Sequence, residues 1–166
     1  MPRNEQGLSY DRYICIPRTL IFLMRKDSVL LLKGAPTKRI WANKYNGIGG
    51  HVERGEDILT SAKRELWEET GLSANLRLVG TLQVDVMPDA GVSVYVFTGE
   101  DAEGVLDSSE EGSLEWIPFV ELGQYPLVSD VAILLDRIRV MDAESPPFFA
   151  RSFYSEDEKL QVCFGE

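Results

Sequence analysis

Glu65, Glu68 and Glu69 stand at i, i+3 and i+4, a spacing that on a helix of 3.6 residues per turn gathers the carboxylates into an arc of about 100° on one face. Like charges at that spacing repel, at roughly 0.2–0.5 kcal/mol per pair. A helix that carries this cluster, with Glu56 just ahead of it, is best explained by a bound cation. No second histidine and no thiol pair accompanies the glutamates, so the donor set is oxygen alone, which suits a hard divalent ion such as Mg²⁺ or Mn²⁺ rather than zinc.

The flanking residues predict the element that carries them. Asp57 is suited to an N-cap, and Gly71 follows Thr70 where a left-handed residue commonly ends a helix. The helix is therefore expected over Asp57 to Thr70. Leu59, Ala62 and Leu66 recur at i, i+3 and i+7 and predict a narrow buried stripe beside the carboxylate face. Before the helix, Tyr45-Asn46-Gly47-Ile48-Gly49 reads as a short strand whose glycines let the backbone approach a ligand closely.

Gly50, Glu56, Arg64, Glu65, Leu66, Glu68, Glu69, Gly71 and Leu72 resemble, without a departure, the Nudix box: glycine, five residues, glutamate, seven residues, Arg-Glu, an aliphatic, one residue, Glu-Glu, one residue, glycine, an aliphatic. The likeness extends toward the MutT-like oxidised-purine nucleoside triphosphatases through Tyr45-Asn46-Gly47, Glu111-Gly112 with Leu114-Glu115-Trp116, and the closing stretch from Pro147 to Phe164. The resemblance implies an α+β Nudix fold, an α/β/α sandwich with a mixed sheet between the box helix and a second helix. It also implies hydrolysis of a nucleoside triphosphate, 8-oxo-dGTP or a related purine (d)NTP, to monophosphate and pyrophosphate.

Carried over residue by residue, the likeness makes Glu65, Glu68 and Glu69 ligands of Mg²⁺ (Mn²⁺ as substitute), joined by the Gly49 or Gly50 carbonyl. Arg64 would orient Glu65. Glu56 would support the loop or a further metal, and Glu111, with Glu110 as its rival, would bring a carboxylate over the site as ligand or base. Asn46 matches a purine-reading asparagine, and Tyr125 keeps an aromatic place as a possible stacking partner. The relatives' adjacent aspartates fall here on Leu127 and Val128, with Asp130 a shifted acid. Pro88 resembles a marker of ADP-ribose pyrophosphatases, yet Pro88-Asp89-Ala90-Gly91 also fits a plain turn. Some relatives bind nucleotides without cleaving them when box carboxylates are lost; none is lost here.

At 166 residues the chain fits one domain, 1–166. The polar start, and an apolar run from Ile14 to Met24 broken by Pro17 and Arg18, predict neither signal peptide nor membrane span, hence a cytoplasmic protein. Cys15 and Cys163 lie at opposite ends without ligand spacing and are expected to be small buried thiols. A net charge of −10 argues against duplex nucleic acid or an anionic membrane as partner. It leaves a small phosphorylated nucleotide whose charge bound Mg²⁺ meets; a monomer or a homodimer is compatible with this composition.

The remaining elements follow from pattern. Arg18–Met24 and Val29–Lys33 predict a hairpin, as do Leu76–Val86 and Val92–Phe97 around Met87–Gly91. Gly34–Lys44 is a basic loop in which Lys38, Arg39, Lys44 and Trp41 are either solvated, with one anchoring aromatic, or meet a nucleotide. His51, the single histidine, is expected as a turn residue near the phosphates rather than a ligand. Glu100–Gly112 reads as an acidic loop, Leu114–Ile117 as a strand, Val128–Met141 as the second helix, and Phe148–Phe153 with Leu160–Phe164 as a last hairpin.

Overall fold

Apolar alternation along the first strand decides the layering. In the computed structural model, which describes residue 7 and residues 11–107 and 111–165, β1 (Ile14–Arg25) turns through Lys26 into β2 (Ser28–Gly34). Leu20 and Phe22 point into one core cluster, Ile21 and Leu23 into another on the opposite face, as a period of two requires. The first cluster is closed by α2 (Val131–Arg139) through Val131, Leu134, Leu135 and Ile138; the second by α1 (Ile58–Thr70) through Ala62 and Leu66. This is the α/β/α sandwich. Glu110 lies outside the described residues.

The other strands are β3 (Tyr45–Asn46), β4 (Leu72–Asp85), β5 (Ala90–Gly104), β6 (Gly112–Pro118), β7 (Phe148–Tyr154) and β8 (Leu160–Phe164). They join one sheet in the order β3-β2-β1-β5-β4-β7-β8, with β6 on β2. The sheet is mixed: β1 runs parallel to β5 and β4 parallel to β7, while the remaining pairs are antiparallel.

One irregularity positions the site. β1 and β2 pair only from Leu23↔Leu30 to Arg25↔Ser28, then splay, and residues 45–51 fill the gap. Tyr45 and Asn46 pair with Lys33 and Leu32 of β2, while Ile48 and His51 bridge back to Ile21 and Arg18 of β1. The glycines here serve first to let this segment lie against β1: a Cβ on Gly49, at φ 142°, would run into the Thr19 carbonyl, and one on Gly47 would stand 2.7 Å from Leu20.

Several boundaries differ from expectation for non-local reasons. Val128 donates its N–H to the Tyr45 carbonyl at 2.9 Å, extending the strand layer, so α2 begins only at Val131. Glu100–Gly104 is not loop but the end of β5, paired with Leu72–Asn75. Met87 and Ala90 close a tight turn around Pro88 and Asp89, which accounts for Pro88 as a turn residue. Cys163 is exposed and Cys15 half-buried, not both buried; on β8 it is the neighbours Val162 and Phe164 that face the core. Among the described residues no helix is long and apolar enough to cross a membrane.

Candidate active site

α1 is held at both ends by local chemistry. Asp57 Oδ1 accepts the N–H groups of Leu59 and Thr60 at 2.9 and 3.0 Å, and these bonds, with the Thr60 hydroxyl, hold its carboxyl below the ordinary aspartate range. Gly71 closes the helix at φ 69°, donating to the Trp67 carbonyl. The buried stripe corrects the sequence reading. Leu59 is 39% exposed and Ile58 packs on the core in its place, giving Ile58, Ala62 and Leu66 at i, i+4 and i+8. That rotation draws Glu69, which projects between Ile58 and Ala62 on a 100° wheel, to the buried edge, where it is only 8% exposed.

Arg64 organises the rest. Its guanidinium meets Glu56 through Nε at 2.6 Å and Nη2 at 3.0 Å, Glu65 at 2.9 Å and Glu68 at 3.0 Å, and also donates to the His51 carbonyl at 3.1 Å. The carboxylates in turn hold Arg64 more firmly protonated. Arg64 pulls Glu56 down to about 2. With the Glu53 N–H on Glu56 as well, both Glu56 oxygens are occupied and tie the loop before α1 to Arg64. Gly50 lies against Glu65: a Cβ there would stand 2.5–2.7 Å from the carboxyl atoms.

Glu69 differs from its neighbours. Its Oε2 accepts the Gly49 N–H at 3.0 Å, yet burial, reinforced by the charges of Glu65 and Glu111, pushes its carboxyl up to about 7. It opens on a pocket of about 60 Å³ lined by Leu32, Gly34, Lys38, Trp41, Lys44, Asn46, Gly47, Gly49 and Glu69. Lys38 forms an ion pair with Glu111 across this mouth. Asn46 spends its Oδ1 on the Gly47 N–H at 2.9 Å. Among the described residues no three acidic, histidine or cysteine side chains converge closely enough to enclose a metal as they stand, because Arg64 draws Glu56, Glu65 and Glu68 to itself. The all-oxygen set and a buried, poorly compensated carboxylate nonetheless fit a hard cation.

Of the residues singled out in the sequence, Gly49, Glu69, Lys38, Asn46 and Glu111 meet at this mouth, and Arg64, Glu65, Glu68 and Glu56 form the adjoining ion-paired group. Tyr125 does not join them. Its ring packs edge-on against Tyr45 at 5.2 Å and its hydroxyl reaches Glu115 at 3.3 Å; Tyr45 donates to the same carboxylate at 2.7 Å. Burial, then that bond, pushes the Tyr45 hydroxyl up to about 12. His51 turns its ring outward to accept from Arg18 Nε at 3.2 Å. Glu115, which fastens Tyr45 beside Asn46, carries no signal in the sequence beyond its place in the Leu114-Glu115-Trp116 match.

The NUDIX domain family matches residues 16–138. The chain belongs to the Nudix family. Among its relatives, the oxidized purine nucleoside triphosphate hydrolase of Mus musculus is 35% identical over 111 residues, which is 63% of this chain and 70% of that protein. The CTP pyrophosphohydrolase of Escherichia coli (strain K12) is 28% identical over 125 residues, 75% of this chain and 92% of that one. Among solved structures, the MutT protein from Bacillus halodurans superposes with a TM-score of 0.76 at 25% identity, covering 90% of this chain and 97% of its own. This is a MutT-like Nudix pyrophosphohydrolase.

Proposed function

We propose that this Nudix enzyme is a Mg²⁺-dependent hydrolase of purine nucleoside triphosphates, 8-oxo-dGTP or a related purine (d)NTP, releasing monophosphate and pyrophosphate. The observation that carries the reading is the buried Glu69 carboxylate opening on a pocket shared with Lys38, Lys44 and Asn46, so that a cation-seeking group, phosphate-seeking cations and a base-reading amide adjoin. The oxidised-purine relative supports the choice of substrate. Glu65, Glu68, Glu69 and the Gly49 carbonyl are the groups that would hold Mg²⁺, whose chemistry is to neutralise phosphate charge and lower the pKa of an attacking water.

The chain's own residues do the rest. Lys38 and Lys44 bind phosphate oxygens, Lys38 leaving Glu111 as it does so. Arg64 fixes Glu65 against the bare Gly50. Glu111, at the mouth, is the carboxylate that takes the proton of the attacking water. Asn46 keeps its carbonyl on Gly47 and turns its amide N–H toward the base.

A panel of 8-oxo-dGTP, dGTP, CTP and ADP-ribose with Mg²⁺, products identified, tests this. Purine triphosphates should give monophosphate and pyrophosphate at the highest kcat/KM, and Glu68→Gln should lower kcat by at least tenfold with the fold retained. Preference for CTP or ADP-ribose, release of orthophosphate, or full activity of the variant would overturn it.

A further inference from the structure

The loop joining β2 to β3 is held in an uncommon conformation by its own backbone hydrogen bonds. Trp41 and Asn43 both have left-handed backbones, each at φ 60°, a conformation that costs a non-glycine residue on the order of 1 kcal/mol and persists where the surroundings over-determine it. Here they do. Gly34 N–H donates to the Lys44 carbonyl at 3.0 Å, Asn43 N–H to the Gly34 carbonyl at 2.9 Å, and Lys44 N–H to the Trp41 carbonyl at 3.0 Å. Gly34 is needed for this frame, since a Cβ there would stand 2.6 Å from the Trp41 carbonyl oxygen.

The side chain so presented is not an anchor. Trp41 is 43% exposed and belongs to neither core cluster, although it lines the pocket with Lys38, Lys44, Asn46, Gly49 and Glu69. A pocket of about 60 Å³ cannot enclose a nucleobase, given that sites which bury drug-sized ligands run to roughly 300 Å³ or more. A base bound here therefore lies across the mouth, which the exposed Trp41 lines. Tyr125 is committed to Tyr45 and Glu115.

We infer that Trp41 is the stacking surface for the substrate's base, held ready by the left-handed loop, with the phosphates running from it past Lys38 and Lys44 toward Glu69. This rests on the nucleotide-hydrolase reading above. It makes Trp41 a specificity-determining residue: a purine, with the larger π face, gains more from the ring than a pyrimidine does.

Trp41→Gly and Trp41→Phe test it. Glycine accepts the left-handed backbone without strain, so Trp41→Gly should melt no lower than wild type. Its KM for the preferred purine triphosphate should rise about 5- to 100-fold with a smaller rise for CTP, while inhibition by inorganic tripolyphosphate, which has no base, stays unchanged. Trp41→Phe should recover most of the loss. An active wild type with Trp41→Gly at the same KM and the same purine-to-CTP ratio would overturn the stacking role alone. So would a fall in melting temperature with tripolyphosphate affinity lost in step. A wild type that cleaves no nucleoside triphosphate would overturn the functional reading, and this inference with it.

Discussion

Replacing Glu69 by glutamine should make the metal-free enzyme more stable and the enzyme less active. In the fold this carboxyl is raised from 4.5 to about 7, chiefly by burial, so between those values the folded chain binds a proton that the unfolded chain has released. Stability therefore falls as pH rises through that window, and the loss is complete above about pH 7. Integrated, it is on the order of 3 kcal/mol at pH 8 and under about 1 kcal/mol at pH 5. A glutamine carbonyl still accepts the Gly49 N–H that Oε2 now accepts at 3.0 Å and carries no charge to desolvate.

Melts of chelator-treated wild type and Glu69→Gln across pH 5 to 8 read this directly. At about 2–4 °C per kcal/mol for a chain of this size, the variant should melt roughly 6–12 °C higher at pH 8, the gap closing toward pH 5. If Glu69 holds the metal as proposed, added Mg²⁺ should raise the wild-type melting temperature more than the variant's, and kcat of the variant should fall by at least a hundredfold. A variant that melts at or below wild type at pH 8, or a gain independent of pH, would refute the claim that the charge on Glu69 is the unrelieved one.

Gly50→Ala should lower kcat at least tenfold with a melting temperature within a few degrees of wild type, because the three atoms nearest an added Cβ all belong to the movable carboxyl of Glu65; full activity would show that the seat of Glu65 does not matter. Gly49→Ala, forced against the Thr19 backbone at φ 142°, should instead cost about 1–3 kcal/mol of stability in a denaturant melt. Asn46→Asp keeps an acceptor for the Gly47 N–H and removes the amide donor. It should therefore lower kcat/KM for the purine by about 1–3 kcal/mol and spare CTP, whereas a uniform loss with a falling melting temperature would make Asn46 structural.

The parts that could be read from the sequence are those whose signals are local. Asp57 and Gly71 bound α1 because a cap's hydrogen bonds reach only two to four residues along the chain, and the splayed β1–β2 hairpin turns where the polar run said it would. What failed was set by partners distant in sequence. Ile58 and Leu59 are adjacent and both apolar, and only contact with the sheet decides which of them is buried. Val128 looks helical until Tyr45 takes its N–H. Tyr125 looked available for a base until Tyr45 and Glu115 took its ring and hydroxyl. The left-handed Trp41 had no sequence signal at all, since its conformation is imposed by the backbone of Gly34, Asn43 and Lys44.

The repulsion that the glutamate spacing implies is distributed unevenly once the chain folds. Glu56, Glu65 and Glu68 share one guanidinium, so Arg64 hydrogen-bonds all three while offsetting one of their three charges. Glu69 sits on the far side of the helix face from Arg64, buried, with the Gly49 N–H on its carboxylate and the charge of Lys38 nearby. A charged hydrogen bond of that kind is worth about 1.5–3 kcal/mol, which leaves the desolvation of a buried carboxylate only partly offset. Of Glu56, Glu65, Glu68 and Glu69, it is thus Glu69, whose carboxylate lines the pocket, that carries the cost of burial. A cation arriving there relieves the most energy where it has to displace no arginine, and the exposed Glu68 is then the neighbour best able to leave Arg64 and follow it. Glu69 is, on this account, the residue by which the fold spends stability on binding, and the one whose neutralisation should separate stability from activity most cleanly.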